Sequence, residues 1–457
     1  MKRSARLACG VALAALAPAC AAQAQATYDR VDEVQDWGSA TVRLIVDLGQ
    51  EVSAGDIDAA AFEIEAARSD PRQEEPALQA GSLPVEEAYV SDAEGEPAET
   101  GTHVTLVPDY GPEQPLSAAL NYGAVSPGSE IKFNDWTETS YTISLTRPLA
   151  GKEAGVLADT LGDYSRGGID RFTFDQASYE DVEAGAIDLR YGWFAPEEDE
   201  GTNPLIVWLH GGGEGGTDPT MPLAANRADS LASDETQAHF DGAYVLVPQA
   251  ASRWMEGPEG SIAGVAKPNA LSIYSGALQE LIEGFVSERE DIDTDRIYLT
   301  GASNGGFMTM RLILDHPDYY AAAVAIAQAM DPQYITEEEL SGITDLPLWL
   351  VTAATDTTVP ADTFVAPLYD RLVQAGASDV QLSYLPGVFD TSGRYEAPEG
   401  GAFEYNGHWS WVPFYNNDLA MIEGGHGQLY GPSASEAGDV GGHKVTSVME
   451  WLAAQSR

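Results

Sequence analysis

A serine between glycines stands in the run "RIYLTGASNGGFMTM", which covers residues 296–310. Ser303 is the centre of a G-x-S-x-G pattern that follows an apolar, strand-like segment and precedes the helical pattern "FMTMRLILDH". A nucleophile elbow has this order of strand, sharp turn and helix, and its glycines avoid collisions in a crowded backbone. The pattern therefore predicts that Ser303 is a nucleophile, and an ordinary helix cap is the competing interpretation.

A second glycine-rich segment, "WLHGGGEGG" (residues 208–216), ends the strongest apolar strand upstream of the serine. A tetrahedral intermediate needs backbone N–H donors directed at its oxyanion, and glycines let the backbone come close. An HGGG segment after an early strand suits that task. We predict an oxyanion hole built from the amide of Asn304 and one or two of the amides of Gly211, Gly212 and Gly213. A flexible glycine turn is the alternative.

Seven histidines are available as the base that such a serine needs, and four of them follow it in the chain. His316 lies on the wrong side of a predicted helix, which leaves His408, His426 and His443. His408 lies in "NGHWSWVPFYNN", His426 lies in the glycine loop "EGGHGQ", and His443 stands at the predicted start of the last helix. Spacing favours His408 over His426. A loop histidine with satisfied hydrogen bonds is the alternative for both.

The acid that orients the imidazole is expected after a late strand, between the serine and the histidine in chain order. The segment "LPLWLVTAATDTTVP" places Asp356 just beyond a strand. Asp345 precedes that strand and lies at its wrong end, and Asp362 is better placed to cap the next helix. The predicted triad is therefore Ser303, Asp356 and His408, with a solvated turn as the alternative for Asp356.

Four aromatic residues near these motifs are candidates to line a substrate cleft: Trp254, Trp409, Trp411 and Tyr415. Ordinary core packing explains aromatic side chains equally well.

The elements that must position these residues form two regions. Residues 27–149 contain short, alternating or β-branched runs separated by turn residues, which predicts a small β-sandwich. In residues 150–457, apolar strands alternate with helical patterns, which predicts a mostly parallel sheet with helices on both faces. Ligands of such sheets bind at the carboxyl ends of the strands, where the candidate residues stand.

The first 26 residues have the layout of a cleaved signal peptide. A basic start and a short apolar run precede the small-residue stretch "AAQAQA". Export to the periplasm or the medium is expected, and lipid attachment at Cys20 is the weaker variant, because "LAPAC" departs from a lipobox. Cys9 and Cys20 are the two cysteines of the chain, so the predicted mature protein has no thiol or disulfide chemistry.

The formal net charge of −49 argues against nucleic-acid binding and against binding to anionic membranes. No later run is long and apolar enough to predict a membrane span. No HExxH pair, Walker lysine pattern or dinucleotide-binding glycine motif occurs, so no metal or cofactor is expected. Heavy acid with little lysine suggests adaptation to salt, where screening relieves self-repulsion.

The motifs together resemble a known group of proteins. The segments "PLIVWLHGGGEGG", "GASNGGFMTM", "TDTTVP" and "NGHWSWVPFYNN" are similar to those of α/β-hydrolase esterases with an N-terminal immunoglobulin-like domain, relatives of poly(3-hydroxybutyrate) depolymerases and feruloyl esterases. The opening "VDEVQDWGSATVRLIVDLGQEV" resembles that N-terminal domain. The resemblance implies that Ser303 is acylated, that His408 rather than His426 is the base, and that Asp356 orients it. It also implies that the N-terminal domain is an accessory module for access or for assembly into homo-oligomers.

The expected function is that of a secreted serine hydrolase acting on a small, aromatic or polymeric carboxylic ester. A triad alone does not choose ester over amide, so a serine peptidase of the prolyl-oligopeptidase type is one alternative. A non-catalytic, secreted polymer-binding protein is the other.

Overall fold

The structure is a computed structural model that describes residues 26–181, 185–197, 201–258, 271–424, 428–431, 434 and 438–457. The predicted signal peptide, including Cys9 and Cys20, lies outside the described residues except for its last residue, Ala26. Within those ranges, no helix is long and apolar enough to cross a membrane.

The first part of the chain consists of β-strands and two short 3₁₀ turns. Its strands are β1 (Ala26–Gln35), β2 (Gly38–Ser53), β3 (Phe62–Ser69), β4 (Ala77–Leu83), β5 (Val85–Ser91), β6 (Thr100–Pro108), β7 (Leu120–Ala124), β8 (Lys132–Trp136), β9 (Glu138–Leu145) and β10 (Gly155–Ser165). Eight of them form one sheet in the order β4-β3-β9-β10-β1-β2-β6-β5, while β7 and β8 pair as a separate hairpin. All pairings are antiparallel except the parallel pair of β1 and β10.

This sheet folds over its own core. Its edge strands β4 and β5 are consecutive in the chain and are separated by Pro84 alone. Leu83 of β4 and Val90 of β5 are buried in one apolar cluster with Leu44 and Ile143 from the middle of the sheet. Alternation places these side chains inside, as in β3, where buried and exposed residues alternate. The predicted sandwich is confirmed.

The structure corrects the predicted domain boundary at residues 149 and 150. Strand β10 (Gly155–Ser165) pairs with β1 and β9, so the first domain extends to about residue 165. The sequence change after "RPLAGKEAG" marks the turn between β9 and β10 rather than the end of the domain, because β10 is largely exposed and carries little apolar pattern.

The second domain is built on an eight-stranded sheet. Its strands are β11 (Thr173–Asp181), β12 (Gly185–Phe194), β13 (Asn203–Leu209), β14 (Tyr244–Gln249), β15 (Ile292–Ala302), β16 (Ala322–Ile326), β17 (Leu348–Ala353) and β18 (Val380–Leu385). The order is β11-β12-β14-β13-β15-β16-β17-β18. The two pairings that involve β11 or β12 are antiparallel, and the pairings from β14 to β18 are parallel.

Helices and small strands complete this domain. The helices of the described residues are α1 (Met221–Asn226), α2 (Asp234–Ala238), α3 (Ser275–Ser287), α4 (Asn304–Asp315), α5 (Glu337–Gly342), α6 (Ala361–Phe364), α7 (Ala366–Ala375), α8 (Val412–Tyr415) and α9 (Val448–Ala453). The later strands are β19 (Val388–Phe389), β20 (Glu404–Tyr405), β21 (Leu419–Ile422), β22 (Gln428–Tyr430), β23 (Asp439–Val440) and β24 (His443–Ser447). His443 thus begins a strand and not the last helix.

The central sheet is covered on both faces, as predicted. Along β13, Leu205, Val207 and Leu209 belong to one buried cluster, while Ile206 and Trp208 belong to another on the opposite face. Continuous burial explains why this strand is a continuous apolar run in the sequence. The parallel strands β13, β15 and β17 end at the same edge of the sheet, and this edge carries the candidate site.

Candidate active site

Ser303 occupies the turn between β15 and α4. Its backbone has φ 56° and ψ −113°, a conformation that L-residues rarely adopt. The turn is so crowded that a Cβ on Gly305 would lie 1.9 Å from the carbonyl oxygen of Leu209. The Ser303 amide donates to the carbonyl oxygen of Ile326 at 2.8 Å, which ties the turn to the neighbouring strand. The strained serine and the necessary glycine have the geometry of a nucleophile elbow.

The structure brings the three predicted triad residues into one hydrogen-bonded chain. His408 Nε2 lies 2.9 Å from Ser303 Oγ, and His408 Nδ1 lies 2.8 Å from Asp356 Oδ2. With Nδ1 protonated, the ring donates to the carboxylate and leaves Nε2 free to accept the proton of the serine hydroxyl. This is the arrangement that nucleophilic catalysis by serine requires.

Asp356 is fixed by its own loop. Its Oδ1 accepts hydrogen bonds from the amides of Thr358 at 2.8 Å and Val359 at 2.9 Å, which leaves Oδ2 for His408. The carboxylate is buried, and the imidazole is nearly so. Three N–H donors therefore replace water around the buried charge.

The glycine-rich segment lies beside the elbow, and its amides differ in availability. The Gly211 amide donates to Asn226 Oδ1 at 3.1 Å, so Gly211 is not a free donor. A Cβ on Gly212 would lie 3.7 Å from the Asn304 Cβ, which places these two residues side by side. Among the predicted donors, the geometry thus favours the amides of Gly212 and Asn304 over that of Gly211. We call residues 210–216 the oxyanion loop.

His210 anchors the start of the oxyanion loop. Its Nδ1 lies 2.6 Å from the Gly211 carbonyl oxygen, and its Nε2 accepts from the Ala250 amide at 3.1 Å. This pairing defines the neutral tautomer with the proton on Nδ1. Complete burial lowers the pKa of His210 to about 4, so the ring stays neutral. His210 is a structural residue of the loop.

Glu214 is a residue of the oxyanion loop that sequence reasoning missed. Its side chain is buried, and burial raises its pKa to about 7. Hydrogen bonds from Asn134, from the Gly213 backbone and from Asn226, together with the charge of Arg253, favour the ionised form and oppose that rise. A lone glutamate inside "GGGEGG" was the available signal, since an acid among glycines is rarely buried without a reason.

The triad opens into a cleft of about 540 Å³. Trp409 and Trp411 line it, as predicted, and the Trp411 ring meets the His408 ring edge to face with centroids 5.7 Å apart. Part of the wall comes from the first domain, through Trp37, Leu120, Tyr122 and Asn134. The cleft therefore lies between the two domains, which the sequence did not indicate.

Two predicted cleft residues lie in the core instead. Trp254 is fully buried against the ring of His210, with centroids 4.8 Å apart. Tyr415 packs on Trp208, with centroids 4.9 Å apart. Trp254 packs against the oxyanion loop through His210, and Tyr415 packs on the central sheet through Trp208. Core packing was therefore the correct interpretation of both residues.

The remaining candidate bases are not at the serine in the described part of the chain. His426 lies outside the described residues. His443 lies in β24, which pairs with β21 and β23.

Comparisons with known proteins agree with this architecture. Residues 27–157 match the esterase Ig-like N-terminal domain, and residues 278–345, which contain Ser303, match the prolyl oligopeptidase family. A crystal structure described as that of a thermostable esterase superimposes with a TM-score of 0.70 over 94% of this chain and 100% of that chain, at 22% identity. The chain has the α/β-hydrolase fold preceded by an immunoglobulin-like domain.

A curated relative matches a shorter part of the chain. "Putative esterase NocK" from Nocardia uniformis subsp. tsuyamanensis is 29% identical over 133 residues, which are 29% of this chain. The match spans 35% of that relative, about a third of its length.

Proposed function

We propose that this α/β-hydrolase is a serine carboxylesterase with Ser303 as nucleophile, His408 as general base and acid, and Asp356 as the group that orients His408. The observation that supports it most is the pair of hydrogen bonds of 2.9 Å and 2.8 Å that link the three side chains. They meet at the strained turn of an elbow, beside two amides suited to an oxyanion.

The proposed reaction has two steps. In the first, Nε2 of His408 takes the proton of Ser303 as Oγ attacks the ester carbonyl carbon, and the Gly212 and Asn304 amides stabilise the oxyanion. The protonated imidazole then gives its proton to the leaving alcohol oxygen, and an acyl-serine remains. In the second step His408 activates water, which releases the acid and restores Ser303.

The shape of the cleft favours a small or aromatic ester. Its volume of about 540 Å³ suits a small organic ligand, and the walls carry the tryptophans Trp37, Trp409 and Trp411. Flat aromatic walls provide apolar contact area at low entropic cost, which suits an aromatic acid or a chain of an aliphatic polyester. The related structure is described as an esterase, which agrees with this class of substrate.

A serine peptidase is the second candidate, because the match to the prolyl oligopeptidase family favours it. That match contains Ser303 but ends before Asp356 and His408. An ester and an amide are attacked by the same triad, so the catalytic geometry supports both reactions.

Turnover of matched substrates tests both candidates. We expect the purified protein to hydrolyse p-nitrophenyl butyrate and to leave a peptide p-nitroanilide nearly untouched. Ser303→Ala should lower ester turnover by roughly four to six orders of magnitude. Ser287→Ala, which removes an exposed hydroxyl of α3, should not change it. Full activity of Ser303→Ala would contradict the assignment, and faster cleavage of the anilide would favour the peptidase.

We also propose that the protein is exported and that its leader is removed after Ala26. The basic start, the short apolar run and the small residues before Thr27 support this proposal. The N-terminal sequence of protein recovered from the periplasm or the medium should begin at Thr27. An N-terminus at Met1 on a cell-bound protein would contradict it.

A further inference from the structure

The hairpin of β7 and β8 separates from the main sheet of the immunoglobulin-like domain and extends to the active site. Within its own domain it is held by Arg72, whose guanidinium donates to the carbonyl oxygens of Asn121 at 3.0 Å and Phe133 at 3.2 Å. Asn121 Nδ2 also donates to Asp70 at 2.8 Å. The hairpin is therefore a braced support and not a loose loop.

The middle of the hairpin contacts the oxyanion loop through backbone and side chain together. The Asn134 amide donates to the Gly213 carbonyl oxygen at 2.7 Å, and Asn134 Nδ2 donates to Glu214 Oε1 at 2.8 Å. Phe133 lies against Gly215, where an added Cβ would be 2.8 Å from its ring. A Cβ on Gly213 would lie 3.3 Å from the Tyr122 ring.

We propose that Asn134, a residue of the immunoglobulin-like domain, is a positioning residue for the oxyanion hole of the hydrolase domain. This inference rests on the proposed function. Asn134 holds the Gly213 carbonyl and the Glu214 carboxylate, and the Gly212 amide lies in the same loop, two peptide units before that carbonyl. The Gly212 amide therefore points at the reacting oxygen only while the hairpin is docked. The N-terminal domain is then part of the catalytic apparatus and not only an accessory module.

The buried carboxylate of Glu214 needs the hydrogen bond from Asn134, so this contact does more than pack the two domains together. A buried carboxylate without donors is costly, so it must find them or move. Asn134 and Asn226 both supply donors to Glu214, and Asn226 also accepts from the Gly211 amide. Loss of the donor from Asn134 therefore shifts Glu214 and, with it, a loop whose amides must lie within a few tenths of an ångström of their working positions.

A matched pair of substitutions separates positioning from packing. Asn134→Asp sets a carboxylate against Glu214, and Trp136→Phe removes a different interdomain hydrogen bond from the same strand, the 2.9 Å bond to Thr220 Oγ1. On p-nitrophenyl butyrate at pH 8, Asn134→Asp should lower kcat by between about tenfold and about a hundredfold, with KM changed less than about threefold. Trp136→Phe should keep kcat within about twofold of the wild type, even if its Tm falls as far as that of Asn134→Asp.

Exchanging the carboxylate and the amide between positions 134 and 214 should restore part of the lost kcat. In Asn134→Asp combined with Glu214→Gln, the new glutamine amide can donate to the new aspartate, so the number of carboxylates and amides is restored. We expect the double variant to recover at least a tenth of the wild-type kcat and to exceed Asn134→Asp, with Glu214→Gln alone completing the double-mutant cycle. If Asn134→Asp does not fold, Asn134→Ala serves, since it keeps the backbone bond to Gly213 and should lower kcat by about three- to tenfold.

Fluorophosphonate labelling of the same variants tells the two proposals apart. Slow labelling of Asn134→Asp beside rapid labelling of the wild type and of Trp136→Phe supports the inference. Equal labelling rates and equal kcat in all three would overturn it while the proposed function stands. A wild type that is neither labelled nor active would overturn both. An equal loss of kcat in Trp136→Phe would show that domain packing, rather than Asn134, sets the rate.

Discussion

The two halves of the site are held in different ways. Ser303 and Asp356 follow two parallel strands of one sheet, and His408 reaches them from a loop of the same domain. The oxyanion loop is hydrogen-bonded to both domains, to Asn226 of the second domain and to Asn134 of the first. The position of the triad thus depends on the second domain alone, whereas stabilisation of the oxyanion depends on a contact between the two domains. Substitutions in the triad should therefore act locally. Substitutions at the contact between Asn134 and the oxyanion loop should make activity depend on how the two domains dock.

The largest effect is expected at the acid. Asp356→Asn leaves an amide where the carboxylate accepted from His408, so the ring loses the tautomer in which Nε2 can accept the proton of Ser303. We expect kcat to fall by about three to four orders of magnitude, with little change in KM and in the fold. Steady-state kinetics and circular dichroism check this. A loss below tenfold would show that Asp356 does not orient the base.

The crowding of the elbow predicts a large effect on stability. Gly305→Ala would place its Cβ 1.9 Å from the Leu209 carbonyl oxygen, a backbone contact that cannot give way. We expect the free energy of unfolding to drop by more than about 3 kcal/mol, or soluble expression to be lost.

Gly212→Ala is the matched control for Gly305→Ala. Its nearest neighbour would be Arg253 Nε at 3.5 Å, an ordinary contact. Its free energy of unfolding should therefore change by less than about 1 kcal/mol in urea unfolding. Similar losses in both variants would contradict the view that a side chain has no room at Gly305 but has room at Gly212.

A smaller effect is expected from the buried acid of the oxyanion loop. The pKa of Glu214 is raised from 4.5 to about 7, so the folded protein is stabilised while Glu214 is protonated, and this stability is lost as the pH rises from about 4.5 through 7. Glu214→Gln cannot ionise. Between pH 5 and pH 8 we expect the wild type to lose up to about 3 kcal/mol relative to this variant. Urea unfolding across that range checks the difference, and parallel pH profiles would show that Glu214 titrates normally.

The sequence supported prediction of the elbow and the order of the triad, because strand, glycine turn and helix are local signals. Selection of His408 rather than His426 needed the family resemblance as well, since spacing alone left both open. The role of Asn134 could not be predicted, because it stands 80 residues before Glu214 and meets it only through domain docking. The burial of Trp254 and Tyr415 was equally hidden, because a sequence does not show which face of a short loop or helix turns inward.

Mapping the site of covalent attachment tests the central claim most directly. Wild-type protein treated with a fluorophosphonate should gain one adduct, and peptide mass spectrometry should place it on Ser303. Ser303→Ala should gain none under the same conditions. An adduct on another residue, or equal labelling of Ser303→Ala, would contradict the claim that Ser303 is the nucleophile.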